Sequence, residues 1–440
     1  MQLRVDDILK LAPDDASAKA ARGLASIASW SLLQADDAAL WGECKGSGSK
    51  PYQVQVDRSG PAFRCSCPSR KFPCKHGLAL LMLSVDAAAR FERAAQPAWV
   101  REWLEGRSDR AMKQEQRKTE SAAAPADPQA AAKREAARAA RMAAGLQELS
   151  LWMRDRLRQG LAQLAPDAPI WDDLARRMID AQLPGIATRV RRAGPEVGRS
   201  PDWPMRVLAA LGQMQLLVEA HARLAELPVA VQSDVRAALG VTLDREAVLR
   251  EGERVADEWR VQGQCFDELD RLWVRRVWLR GARSGRDALL LDFSHGSRNF
   301  QEVWLVGTTV AVTLAFAPGA APLRAITVDD PRIGPAVPLG TDAFEAALDR
   351  LAVAAAANPW QVPLPLSFSG AVPARDEQGW CVHVDGRRLP MAVRDEAGWQ
   401  LVALGGGARL DIAGEWDGRT LRPLCAWQQS PVWIEDAGAP

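Results

Sequence analysis

The spacing of apolar side chains changes period along this chain, and each change marks a boundary. Residues 13–34 are Ala-rich with Asp14 or Asp15 in capping position, which predicts a helix. Residues 52–57 (Tyr-Gln-Val-Gln-Val-Asp) alternate as a half-buried strand does. Phe63 to Cys67 is the expected returning strand, stopped by Pro68. Leu78, Leu81, Met82 and Val85 then recur at helical spacing. Pro97 to Glu105 predicts a short helix whose Trp99 and Trp103, at i and i+4, form a face docked on the helix before it.

Residues 106–128 are polar, with almost no large apolar side chain, and read as a flexible linker. From Gln129 an Ala-rich run of high helix propensity leads into Leu146, Leu149, Trp152, Met153, Leu157 and Leu161, an apolar helical face. Helical spacing continues at 170–182, 203–226 and 244–270, punctuated by Pro166, Pro184, Pro201 and Pro228. From Leu272 the period is two. Strands are expected at 274–279, 288–293, 302–306, 310–316 and 323–328, then a helix at 342–356. Short strands follow at 382–385, 399–404, 409–413 and 421–427. Asp385-Gly386 and Asp417-Gly418 are hairpin signals, and Gly405-Gly406-Gly407 is expected to be a loop between two strands. The expected architecture is α+β and multidomain: an N-terminal domain over 1–105, the linker 106–128, a helical region 129–270 and a β-rich region 271–440.

Composition narrows the classes. The 56 basic and 55 acidic side chains nearly cancel, which argues against a generic nucleic-acid coat. Residues 1–7 carry early acids and no apolar core, so no signal peptide is expected. No apolar run reaches bilayer-spanning length, so a membrane is not an expected partner. The cysteines show metal-type spacing and no disulfide framework, which fits a reducing cytoplasm. Cys44, Cys265, Cys381 and Cys425 are scattered and read as small buried hydrophobes, Cys44 lying on the strand side of the metal cluster.

That cluster carries the chemistry. Cys65-Ser66-Cys67 and Cys74-Lys75-His76 place three thiolates and an imidazole within twelve residues. This donor set suits one structural Zn2+ in a closed tetrahedral site, with no position left for substrate. Cys65 and Cys67, two apart on a strand, share one face. Cys74 and His76 cannot converge from inside a regular helix, so Cys74 is placed just before the helix, after Pro73, with His76 in its first turn. The predicted unit is a β-hairpin followed by a helix, with zinc between them.

The pattern C-x-C, gap, C-x-H resembles the SWIM zinc finger. All four positions match, Cys65, Cys67, Cys74 and His76, and the flanking Pro-Tyr-Gln-Val-Gln-Val and Cys-Ser-Cys-Pro-Ser-Arg-Lys-Phe-Pro-Cys-Lys-His-Gly-Leu resemble the bacterial form over about residues 40–90. The resemblance implies a DNA- or protein-binding module. It also implies neighbours of the MoxR-type AAA ATPase and von Willebrand A-domain classes, and hence a partner assembly.

Arg58, Arg64, Arg70, Lys71 and Lys75 surround the ligands, and no acid falls between Arg58 and His76. Three thiolates on a divalent cation leave about one negative charge, which these basic groups can offset. Alternatively they contact phosphates or a partner. Of the 17 Trp, Trp152, Trp171, Trp203, Trp259, Trp273 and Trp278 read as core anchors. Trp380, Trp399, Trp416 and Trp427 lie near turns and either pack or line a groove. His221, His295 and His383 are isolated, and no G-x-S-x-G, P-loop lysine or H-E-x-x-H is present, so no catalytic residues are expected. The expectation is a zinc-binding interaction protein with a protein partner. The alternatives are a DNA-binding protein that uses the basic finger surface, and an enzyme with its site near Asp292 and His295 in 271–440 and the finger as a targeting module.

Overall fold

A computed structural model describes residues 5–9, 11–12, 15–46, 50–58, 62–69, 71, 73–106, 128–166, 169–269, 272–295, 300, 302–428 and 431–434. The expected linker lies almost wholly outside these residues.

The N-terminal domain is built on a five-stranded sheet. Helices α1 (Val5–Leu9) and α2 (Asp15–Leu24) precede β1 (Trp30–Ala35), β2 (Ala39–Cys44), β3 (Tyr52–Asp57) and β4 (Ala62–Cys65). These strands form an antiparallel meander, and β5 (Glu92–Arg93) adds to β1 in parallel, giving the order β4-β3-β2-β1-β5. The helix expected over 13–34 therefore ends at Leu24. Trp30, Leu32 and Leu33 pair with β2 instead, because pairing in the sheet overrides a local signal that also fits a helix. Helix α3 (Lys75–Asp86) covers one sheet face and is itself covered by α1 and α2. Leu78, Leu80, Leu81, Met82 and Leu83 are all buried there, as a helix enclosed on every side requires. Helix α4 (98–106) packs on the opposite face, where Val100, Trp99 and Leu104 meet Ala39 and Trp41. The Trp face expected to dock on α3 docks instead on the far side of the sheet.

The middle region is helical: α5 (Pro128–Gln159), α6 (Pro169–Asp180), α7 (Pro184–Ala193), α8 (Trp203–Ala222) and α9 (Val229–Leu239) share one core. Leu146, Leu149 and Met153 of the expected α5 face are buried, whereas Leu157 is exposed at the helix's end. Gly145 lets α5 approach the α6–α7 turn, since a Cβ there would sit 2.5 Å from that of Ala181.

A short helix, α10 (Arg245–Glu251), ends this region, and β6 (Glu253–Leu269) follows at once. The expected helix over 244–270 is thus about two helical turns followed by the longest strand among the described residues. Asp257, Trp259 and Val261 are buried at alternate positions, so the governing period is two. The β-rich region begins near residue 253, not 271. Strands β7 (Leu272–Gly281), β8 (Asp287–His295), β9 (Thr308–Phe316), β10 (Arg324–Thr327) and β11 (Arg332–Ala336) complete a sheet in the order β10-β8-β7-β6-β9-β11. Because β10 also pairs with β9, the first five strands close on themselves. Residues 302–306, expected as a strand, are irregular, and Trp304 fills the core from them.

After α11 (Phe344–Ala357), strands β12 (Leu364–Asp376), β13 (Gly379–Val384) and β14 (Arg387–Pro390) lead to α12 (Asp395–Gly405), then β15 (Leu410–Trp416), β16 (Leu421–Trp427) and β17 (Pro431–Ile434). Their antiparallel sheet runs β14-β13-β12-β15-β16-β17. Both expected hairpin turns are present, and Asp385 and Gly386 both take positive φ, as the Asp-Gly turn requires. The strand expected at 399–404 is helix α12, and the triple glycine ends it, with Gly406 in the left-handed conformation.

Candidate metal centre

The ligands come from two elements that the core brings together. Cys65 ends β4, where it pairs with Val54 of β3. The strand stops there, earlier than expected, and Cys67 follows outside it. The Ser66 amide still donates to the Gln53 carbonyl at 2.9 Å, and the Ser66 hydroxyl accepts from the Gln53 amide at 2.9 Å. Cys74 is extended at φ −75°, ψ 160° in the N-cap position, so His76 lies in the first turn of α3. Phe63, packed against Gly77, seats the helix on the hairpin. A Cβ on Gly77 would lie 3.0 Å from the ring.

The four donor atoms lie within 4.8 Å of one another. His76 Nδ1 is 3.8 Å from Cys65 Sγ and 4.0 Å from Cys74 Sγ. Ideal tetrahedral edges around zinc, from Zn–S and Zn–N bonds of about 2.3 and 2.0 Å, are about 3.5 Å for S···N. The donors therefore fit one ion after a small contraction. His76 is buried and packs against Tyr52, with ring centroids 5.0 Å apart. The Cys67 amide donates to Cys65 Sγ at 3.5 Å, a contact that stabilises a thiolate. The Cys65 thiol donates to Cys74, which together with burial pushes Cys65 up. The same bond, with His76 and the Gly77 amide at the helix N-terminus, holds the Cys74 thiol well below its usual value. Burial pushes Cys67 up. The helix start thus favours the thiolate at Cys74, and the donors hold one structural Zn2+ in a closed site.

The SWIM zinc finger family matches residues 52–83, which span β3, β4, all four ligands and most of α3. This chain is a SWIM-domain protein. The family of the SWIM-associated four-helix bundle domain matches residues 137–239, the greater part of α5 through α9. No curated protein and no solved structure is significantly similar to the chain.

The basic residues of the SWIM finger do not form one surface among the described residues. Lys71 and Lys75 are exposed beside the ligands. Arg64 is exposed but opposes Gln55, on the sheet face away from Cys65. Arg58 lies at the other end of β3, and its guanidinium donates to the Asp36 carbonyl at 2.9 Å. Arg70 lies outside the described residues. Cys44 is fully buried in the finger core and is not a member of the ligand group.

At that other end of the sheet lies a feature no motif revealed. A cleft of about 600 Å3 opens between the sheet and the C-terminal half of α3. Leu40, Val56, Leu81, Val85 and Phe91 form its apolar wall, with buried Asp57 among them, and Asp36, Asp37, Arg58 and Arg93 form its rim. The zinc ligands hold one end of α3, and Leu81, Ser84 and Val85 carry the cleft at the other.

In the β-rich region, Asp292 is clamped by Arg275, which donates to it at 2.9 and 2.6 Å. His295 is exposed three residues along the same strand, which directs it to the opposite face. Trp259, Trp278, Trp380 and Trp427 are buried, while Trp399 is exposed beside Trp380 with Arg375 over both rings. Among the described residues no helix is long and apolar enough to cross a membrane.

Proposed function

We propose that this chain is a non-enzymatic docking protein in which zinc fixes α3 so that its far end can receive an apolar segment of a protein partner. The observation that carries this reading is the cleft. Its wall is apolar, and its rim balances the carboxylates of Asp36 and Asp37 against the guanidiniums of Arg58 and Arg93. A phosphate backbone finds no net positive charge on such a rim, whereas an apolar peptide with mixed charges is matched by it. The scattering of Arg58 and Arg64 away from Lys71 and Lys75 supports the same choice over DNA or RNA. A MoxR-type ATPase system is the partner class that the SWIM resemblance brings forward. The seven cysteines form no disulfide, which supports a reducing cytoplasmic setting.

The test is affinity capture from the native cell with the full chain, a Cys67→Ser variant that weakens the zinc site and a Val85→Glu variant that charges the cleft wall. The expected result is a specific protein captured by wild type and lost with both variants. Capture unchanged by Val85→Glu would refute the cleft as the docking site. A steep, salt-dependent affinity for DNA or RNA would favour the nucleic-acid reading instead.

A further inference from the structure

Cys381 was expected to be a buried hydrophobe and His383 an isolated strand residue. The structure puts both beside Asp376 on a polar face. On β13, Trp380, Val382 and Val384 belong to the core of the third sheet, so Cys381 and His383 alternate to its other side. Cys381 is fully buried there, yet its sulfur meets polar groups. It lies 3.5 Å from Asp376 Oδ2 and 3.7 Å from His383 Nε2. The three donor atoms all lie within 4.8 Å of one another. Cys381 and His383 also repeat the C-x-H spacing of Cys74 and His76.

We infer that Asp376, Cys381 and His383 form a second metal site, for a zinc-class divalent ion with one position open to solvent. Tetrahedral edges calculated from bonds of about 2.3 Å to sulfur and about 2.0–2.1 Å to oxygen and nitrogen are about 3.5–3.6 Å for both S···O and S···N. The observed edges match these more closely than those of the SWIM finger. Carboxylate, thiolate and imidazole together select a borderline ion such as Zn2+ over Mg2+ or Ca2+. Asp376 and His383 are exposed, so the fourth position faces water.

Arg388 bears on the site directly. It donates to Asp376 through Nε at 2.6 Å and Nη2 at 2.9 Å. Each carboxylate oxygen has two lone pairs, so the second one on Oδ2 stays free for the ion. A thiolate and a carboxylate neutralise the divalent charge, and the guanidinium then orients the carboxylate as an outer-sphere partner.

The test is metal counting on the full chain by native mass spectrometry after chelator treatment and equilibration with Zn2+. Wild type is expected to hold two ions and His383→Ala one. His383 is exposed, so the alanine variant should melt like wild type in chelator. His383→Cys, which keeps a soft donor, is expected to restore the second ion. One ion on wild type, two on His383→Ala, or no rescue by His383→Cys would each overturn the assignment.

Discussion

Replacing Cys65 with Ser tests whether zinc or the core holds α3 in place. The helix orders twelve residues, at a cost of about 1–2 kcal/mol each, or about 12–24 kcal/mol. Against this stand five buried large side chains, Leu78, Leu80, Leu81, Met82 and Leu83, worth about 1.5–3 kcal/mol each, or about 7–15 kcal/mol. A structural zinc adds about 10–16 kcal/mol. The balance is favourable by about 6 kcal/mol at mid-range with the ion and unfavourable without it. Cys65→Ser removes a ligand that also contacts His76 Nδ1 and the Cys67 amide. The expected outcome, read by hydrogen exchange, is loss of protection across 52–57 and 75–86, with 137–239 and the β-rich region unchanged. If the ion is lost but the 75–86 amides stay protected, the core alone suffices and the reasoning fails.

Three further outcomes follow from the β-rich region. Glu415 is 4% exposed and accepts from Arg276 at 2.6 and 3.0 Å and from Trp278 at 2.7 Å. Burial pushes its carboxyl up, but the Arg276 and Trp278 bonds overrule this and hold it low. Arg276→Met should therefore destabilise by about 3–5 kcal/mol at pH 7. The folded carboxyl then sits above its unfolded value, so the deficit should shrink as pH falls toward 5; an equal deficit at both pH values would refute this. Asp287 is pushed up to about 6 by burial, with Asp342 adding to the shift and Arg280 opposing it. Its raised folded value makes ionisation costly above about pH 6 and costless below its unfolded value of about 3.8. Asp287→Asn should accordingly stabilise by up to about 3 kcal/mol at pH 7.5 and by nothing near pH 3.5, as read by denaturant titration. Finally, a Cβ on Gly398 would lie 2.5 Å from Trp380, so Gly398→Val should lower the melting temperature by displacing α12.

The zinc centre was legible because its chemistry is local. Four ligands within twelve residues, a strand period before them and a helical period after them leave one arrangement. The helical bundle was legible for the same reason, through apolar spacing between prolines. The misread elements are those in which tertiary pairing overrode the local signal. In β6, the acids and arginines between Val255, Trp259 and Val261 also fit a helical face, and only pairing with both β7 and β9 settles the period. In α12, Trp399, Leu401 and Val402 suggested a strand. Asp395 and Glu396 in the first turn and Gly406 beyond the end are the helix signals that outweigh them. The cleft had no sequence signal, because its wall is drawn from four separate elements.

Helix α3 joins the zinc ligands at Cys74 and His76 to the cleft wall at Leu81 and Val85. The ten helical rises from Lys75 to Val85 span about 15 Å. If one element must be ordered for both metal and partner to bind, their binding free energies are linked, and the linkage is symmetric. A partner in the cleft would then tighten zinc by the factor by which zinc tightens the partner. Chelator resistance of the finger would become a measure of docking, and zinc supply a control on assembly.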